Sequence, residues 1–217
     1  MKMAKRRNPT TIFGVITIGT VLVGSWLFFM VGAATGFFPE DWFQKSLIYF
    51  VLTIGVFAWD NASTRKFEQT LFRKSFISIV PKFLLFAGLT YGLLFFTKLL
   101  IQPEILDQIL QRVIGDVPLY VALYHGLIVG VNETLVFMVF FADQFRSRGL
   151  SKNSTYIFVG LLFALFHFWL VGGVFLLLLP YIPLGIIWLW MRWKYGWEAA
   201  AGSHGLGYNP FILGFGA

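Results

Sequence analysis

An all-helical, polytopic membrane protein is the fold class this sequence predicts, and three observations carry the prediction. Of the 217 residues, 58% are apolar, 19% aromatic and only 12% charged, with a mean hydropathy of +0.75. Soluble domains carry roughly 25% charged residues, so the surface needed to solvate a globular domain is missing. Seven segments are long and apolar enough to cross a bilayer, which takes about 20 residues of helix. Basic residues cluster in alternate connections between these segments. Together these features exclude a water-soluble domain and a disordered chain. The absence of cysteine removes a disulfide framework, thiolate metal sites and a cysteine nucleophile.

The apolar spans cover residues 11–36, 42–59, 83–101, 118–142, 154–172, 174–191 and 195–216 and form one transmembrane helical domain, 1–217. The first has the basic start of a signal peptide, but its apolar run is about twice the length of a secretory core, so it reads as a retained helix. The second is short. Between the third and fourth, residues 102–117 carry Ile105, Leu106, Ile109, Leu110 and Val113 at helical spacing, the pattern of an amphipathic helix lying on the membrane. Gly172 and Gly173 alone separate the fifth span from the sixth, which predicts a tight helical hairpin. The seventh is broken by glycines and Pro210.

Lys and Arg in short loops are retained on the cytoplasmic side, so their distribution sets the topology. Lys2, Lys5, Arg6 and Arg7 precede the first span, and Arg65, Lys66, Arg73, Lys74 and Lys82 lie between the second and third. Arg146, Arg148 and Lys152 follow the fourth, and Arg192 and Lys194 follow the sixth. Only Lys45, Lys98 and Arg112 fall on the other side. The expected arrangement is a protein integral to the cell membrane, with a cytoplasmic N-terminus and an outer C-terminus. The net charge of +7 is then a topology signal and an anionic-lipid contact, with no nucleic-acid partner. The sequons at Asn61, Asn132 and Asn153 fall in cytoplasmic loops or inside a span and are not glycosylation sites.

An ionisable side chain near the bilayer centre costs on the order of 2.5–3.5 kcal/mol, so the polar residues inside the spans are the informative ones. They are His125, Glu133, His167 and His204, with the amides Asn132 and Asn209, and every histidine of the chain is among them. At about 1.5 Å of rise per residue, Glu133 and His204 lie roughly 14 Å deep and His167 roughly 20 Å deep. Three helices thus bring a carboxylate and two imidazoles to similar depth. His125 sits on the same side of its helix as Glu133, about 12 Å nearer the outer face. Such a set either ties helices together, at about 0.6–2 kcal/mol per polar contact, or forms a functional site.

The runs Asn132-Glu133-Thr134-Leu135-Val136-Phe137, Phe163-Ala164-Leu165-Phe166-His167 and His204-Gly205-Leu206-Gly207-Tyr208-Asn209 resemble the CPBP family of CAAX-processing and bacteriocin-processing intramembrane proteases. That family carries Glu-Glu-x-x-x-Arg, Phe-x-x-x-His and a late His-x-x-x-Asn on successive helices. The resemblance covers residues 132–209, implies a CPBP-like helical core over 118–217, and leaves the first three spans matched only in being hydrophobic. It implies that Glu133 with His167 activates a water, and that His204 and Asn209 stabilise the oxyanion. The physical logic is that of a desolvated base and of donors aimed at developing charge in a dry site. Three positions depart from the pattern. Asn132 stands where the first glutamate belongs, Phe137 stands in place of the arginine, and Asn209 comes one residue late with Tyr208 at the motif position.

Two functions from different classes follow. One is an intramembrane peptidase acting on a peptide or membrane-protein substrate. The alternative is a catalytically degenerate member of the fold that serves as a subunit or scaffold among other membrane proteins, with Trp169, Trp188, Trp190, Trp193 and Trp197 as contact surfaces and interfacial anchors. A divalent metal held by His125, Glu133, His167 and His204 is a further expectation, since imidazole and carboxylate suit such ions. No two of the four have the spacing of a local ligand pair.

Overall fold

Inside a bilayer a segment must satisfy its own backbone donors and acceptors, which leaves the helix as the form open to an isolated apolar run. The computed structural model describes residues 76–100, 119–168 and 175–209, with 31, 32, 34–36, 51 and 55. Most of the first and second spans, the 102–117 helix, the connector 60–75, Gly172, Gly173 and Pro210 lie outside the described residues. The chain divides into two units, Met1–Ser75 and Phe76–Ala217. In the first, Thr35 N–H bonds the Val31 carbonyl at 2.9 Å, and Gly36 turns the chain with a φ of 76°.

The second unit is all-helical over its described residues. Helix α1 is Phe76–Leu100 and α2 is Leu119–Glu133. The latter continues in π-helical form over Thr134–Phe141 and returns to α over Ala142–Ser147. Helix α3 is Lys152–Phe166, capped by Ser151, whose hydroxyl accepts from Ser154 N–H at 3.1 Å. A 3-10 turn at Phe175–Leu178 leads to α4, Tyr181–Tyr195. Helix α5, Trp197–Gly202, continues as a π segment through Ser203–Tyr208. Two of these elements, Ser78–Thr97 and His125–Ser147, are long and apolar enough to cross a membrane. The expected count of seven spans includes segments outside the described residues.

Helix α1 begins upstream of the apolar span that announces it, and α3 ends at Phe166, short of the glycine pair. The linker to α4 therefore holds a 3-10 turn and is longer than two glycines. Apolar length marks where a chain can sit in lipid, whereas helix ends follow capping and packing.

Helix α2 is the centre. Its apolar window is 78% buried against 6% for that of α1, so α1 lies at the periphery. Leu84, Leu85, Leu89, Leu93 and Phe96 of α1 face outward, as do Ile157, Leu161 and Leu165 of α3. That is the pattern of a lipid-facing surface. The α5 rod packs against both α1 and α2, and α3 pairs with α4. Small residues permit this closeness. A Cβ on Gly130 of α2 would collide with the backbone of Gly205, and one on Gly202 with the Phe83 carbonyl of α1.

Lys82, Lys152, Arg192 and Lys194 of this unit gather at one end. Arg192 Nη2, at the end of α4, donates to both carboxylate oxygens of Asp143, at 2.7 and 2.8 Å. Lys82 Nζ donates to the Tyr195 carbonyl at 2.7 Å and lies 3.2 Å from Glu198 Oε1. Lys152 sits over the Trp193 ring, with Nζ 5.3 Å from its centroid, and Lys194 sits over Trp190 and Tyr195 at 4.9 and 5.0 Å. Gly196, at a φ of 110°, makes the corner between α4 and α5 and leaves room for the Glu198 carboxylate folded back against it.

Candidate active site

Asn132, Glu133 and Thr134 are three successive buried polar residues in the middle of the most buried helix. The helix changes from α to π form between Glu133 and Thr134, and the α5 rod makes the same change between Gly202 and Ser203, just before His204. Single π turns inside α-helices recur at functional sites because the extra residue re-aims side chains. Here the second π segment packs against α1 and α2, and the two π segments meet where Thr134 touches His204.

Three of the four sequence-predicted catalytic residues come together. Glu133 Oε2 lies 3.6 Å from His167 Nε2 and 3.4 Å from His204 Nε2, so both imidazoles approach the same carboxylate oxygen. His167 is the C-cap of α3, where the helix stops, rather than a residue inside a continuing span. Its Nδ1 donates to the Phe163 carbonyl at 2.7 Å, and Tyr181 stacks on its ring at 4.3 Å and 22°. His204 Nδ1 meets Thr134 Oγ1 at 3.3 Å. Trp188 covers the His204 ring face to face, at 3.8 Å and 18°, and donates from Nε1 to Ser203 Oγ at 3.2 Å. Thr90 of α1 donates to the same Ser203 oxygen at 2.8 Å.

Asn209, the fourth, is the C-cap of the second π segment. Its Nδ2 lies 3.1 Å from where a Cβ on Gly130 would stand, one turn of α2 before Glu133. That nitrogen is buried and finds no hydrogen-bond acceptor among the described residues. Tyr208, at the motif position for asparagine, packs edge-on against Trp188 at 5.3 Å and lies within electrostatic reach of Glu133. His125 is eight residues before Glu133 and partly buried. Among the described residues no three His, Asp or Glu side chains form a group fit to hold a metal ion. Both imidazole Nε2 atoms instead lie against the single oxygen Oε2.

Phe137 stands at the arginine position of the motif. It is buried in an aromatic cluster, edge-on to Phe163 at 5.5 Å and 85° and in contact with Phe141 and Phe166. Sequence reasoning missed Thr134 and Ser203, polar residues inside spans whose small neutral side chains cost little to bury. It also missed Glu198, which is fully buried beside Lys82. The sequence groups Trp188 with the interfacial anchors; its burial at 2% exposure and its stacking on His204 make it a wall of the site.

Residues 115–208 match the family model of the type II CAAX prenyl endopeptidase Rce1-like proteins. Over these residues the chain is similar to that family. The resemblance to the CPBP family, read from three short runs, is thereby borne out across α2, α3, α4 and α5, and the match ends one residue before Asn209. A membrane-embedded, protease-like core agrees with the two long apolar helices. No characterised protein and no solved structure matches the chain.

Proposed function

We propose that this protein is an intramembrane peptidase in which Glu133 and His167 activate a water and His204 and Asn209 stabilise the oxyanion. The observation that supports the reading most is a pair of facing acceptors. The Phe163 carbonyl can only accept, so Nδ1 of His167 carries the ring proton, and Nε2 of the neutral ring is left as an acceptor. Its neighbour at 3.6 Å, Glu133 Oε2, is also an acceptor when ionised. A molecule with two donor hydrogens satisfies both, and the water that attacks a peptide carbonyl is such a molecule.

The reaction then runs with few parts. The water donates one hydrogen bond to His167 Nε2 and one to Glu133 Oε2. As its oxygen bonds to the carbonyl carbon, Glu133 takes the proton and the carbonyl oxygen becomes an oxyanion. His204 Nε2 and Asn209 Nδ2 donate toward that oxygen, in a setting dry enough for two neutral donors to count. Collapse breaks the C–N bond, and the proton held by Glu133 passes to the leaving amine. A lipid-modified C-terminal peptide arriving from the bilayer is the substrate class suggested by the matched family's description and by the lipid-facing surfaces of α1 and α3.

If the two residues work as one unit, removing either should cost nearly as much as removing both. Glu133→Gln and His167→Gln should each lower kcat/KM by roughly 10²–10⁴ on a prenylated C-terminal peptide in lipid vesicles. The double variant should be hardly worse. Costs that multiply independently would contradict the paired role. Asn132 and Phe137 favour the second reading, a non-catalytic subunit of a membrane complex. It is the better one if no peptide is cut by the wild-type protein and the protein leaves native membranes only with fixed partners.

A further inference from the structure

Threonine inside a helix ordinarily returns its hydroxyl proton to the carbonyl one turn back. Thr35, Thr97 and Thr155 do so in this chain, each at 2.8 or 2.9 Å. Thr134 does not. It is 0% exposed, and among the described residues the hydrogen-bond contact of its hydroxyl is His204 Nδ1, at 3.3 Å. A buried hydroxyl proton needs an acceptor, and Nδ1 is the one within reach.

The two directions of this bond are unequal. If Thr134 donates to Nδ1, the neutral imidazole carries its proton on Nε2, which faces Glu133 Oε2 3.4 Å away. If Nδ1 donates instead, the threonine proton loses its acceptor, and the lone pair of Nε2 faces a carboxylate oxygen. The second arrangement leaves a buried donor unsatisfied and opposes two acceptors, each a cost of about 1–3 kcal/mol. We propose that Thr134 is a positioning residue whose hydroxyl fixes His204 in the tautomer with its proton on Nε2. The two histidines at Glu133 are then opposite tautomers. His167, tied by Nδ1–H to a carbonyl, offers an acceptor; His204, tied by Nδ1 to a hydroxyl, offers a donor. The face-to-face contact with Trp188, itself anchored through Ser203 to Thr90, keeps the ring from flipping and exchanging the roles of its nitrogens. Extended to the peptidase reading, on which this step rests, the same Nε2–H is the donor that turns toward the oxyanion once Glu133 has taken the proton of water.

Nitrogen-15 NMR of histidine-labelled full-length protein in lipid nanodiscs reads tautomers directly, and with three histidines in the chain the signals can be assigned from His125→Gln and His204→Gln. At neutral pH, His204 should show a protonated Nε2 and a bare Nδ1, and His167 the reverse. Thr134→Val, which keeps shape and removes the hydroxyl, should shift His204 toward the Nδ1-protonated form or a mixture, and Thr134→Ser should restore the wild-type pattern. A proton on Nδ1 of His204 in the wild type, or a tautomer unmoved by Thr134→Val, overturns the inference. In the peptidase assay Thr134→Val should lower kcat by roughly 10-fold or more with KM little changed, and Thr134→Ser should recover it. A tautomer shift in a protein that cuts no peptide would leave Thr134's role standing and remove the peptidase reading.

Discussion

Glu133 and Glu198 are both sealed from solvent, at 1% and 0% exposure, yet they meet different company. Glu198 is held by the Lys82 ammonium, a fixed partner at the basic end of the unit. Glu133 is met by two imidazoles whose other nitrogens are committed to a carbonyl and a hydroxyl. The difference is between a charge neutralised in place and one surrounded by groups that can give or accept a proton. Phe137 shows how far the site has moved from the motif. Phe137→Arg would restore the family's arginine in letter, but it would drive a guanidinium into the cluster of Phe141, Phe163 and Phe166. Stability should fall by several kcal/mol, read as a lower thermal midpoint in detergent. A variant as stable as the wild type would show that a counter-charge is within reach of this position. At this scale the sequence was informative where polarity is costly. A glutamate and two histidines in apolar spans stand out, whereas Thr134 and Ser203 cost little to bury and attract no notice. Trp188 is one of eight tryptophans, and nothing local separates it from the interfacial ones.

Helices in this protein are placed by what their backbones touch. The α5 rod reaches Glu133 only because Gly130 and Gly205 let two backbones meet, and because both helices widen to π form at that level. Gly130→Ala should push the rod outward, cost about 1–3 kcal/mol through overpacking, and separate His204 from Glu133. A lower thermal midpoint together with loss of the His204 tautomer preference would report it; an unchanged midpoint would mean that the approach is looser than described. Apolar length and glycine breaks made the segments legible in advance. They did not reveal that α3 stops at His167, because a helix end inside an apolar run depends on tertiary partners. Here that partner is Tyr181, stacked on the His167 ring, while Nδ1 bonds the Phe163 carbonyl one turn back in the same helix. The π segments were invisible for the same reason: they reflect how two rods fit, with no composition of their own.

Across the second unit, Lys82, Arg146, Arg148, Lys152, Arg192 and Lys194 belong to helix ends that meet at one face. This is the arrangement the distribution of charge predicted. The orientation of that face toward the cytoplasm remains a proposal from the charge rule, and the chain is well suited to testing it because it has no cysteine. A single cysteine at the exposed Arg148 should react with a membrane-impermeant maleimide only after the cell membrane is opened. Labelling of intact cells would reverse the topology. The all-helical class and the polar residues that stand out in the spans were readable from residue chemistry, since bilayers punish polarity and so make the exceptions conspicuous. The closeness of the residues, and which nitrogen of each ring faces Glu133, required the packed molecule.

Hydrolysis by the wild-type protein and by Glu133→Gln, each in lipid vesicles with a prenylated C-terminal peptide, tests the central claim most directly. The account predicts cleavage by the wild type and a loss of roughly 10²–10⁴ in kcat for the variant, with its thermal midpoint little changed. Cleavage by Glu133→Gln at the wild-type rate would contradict it.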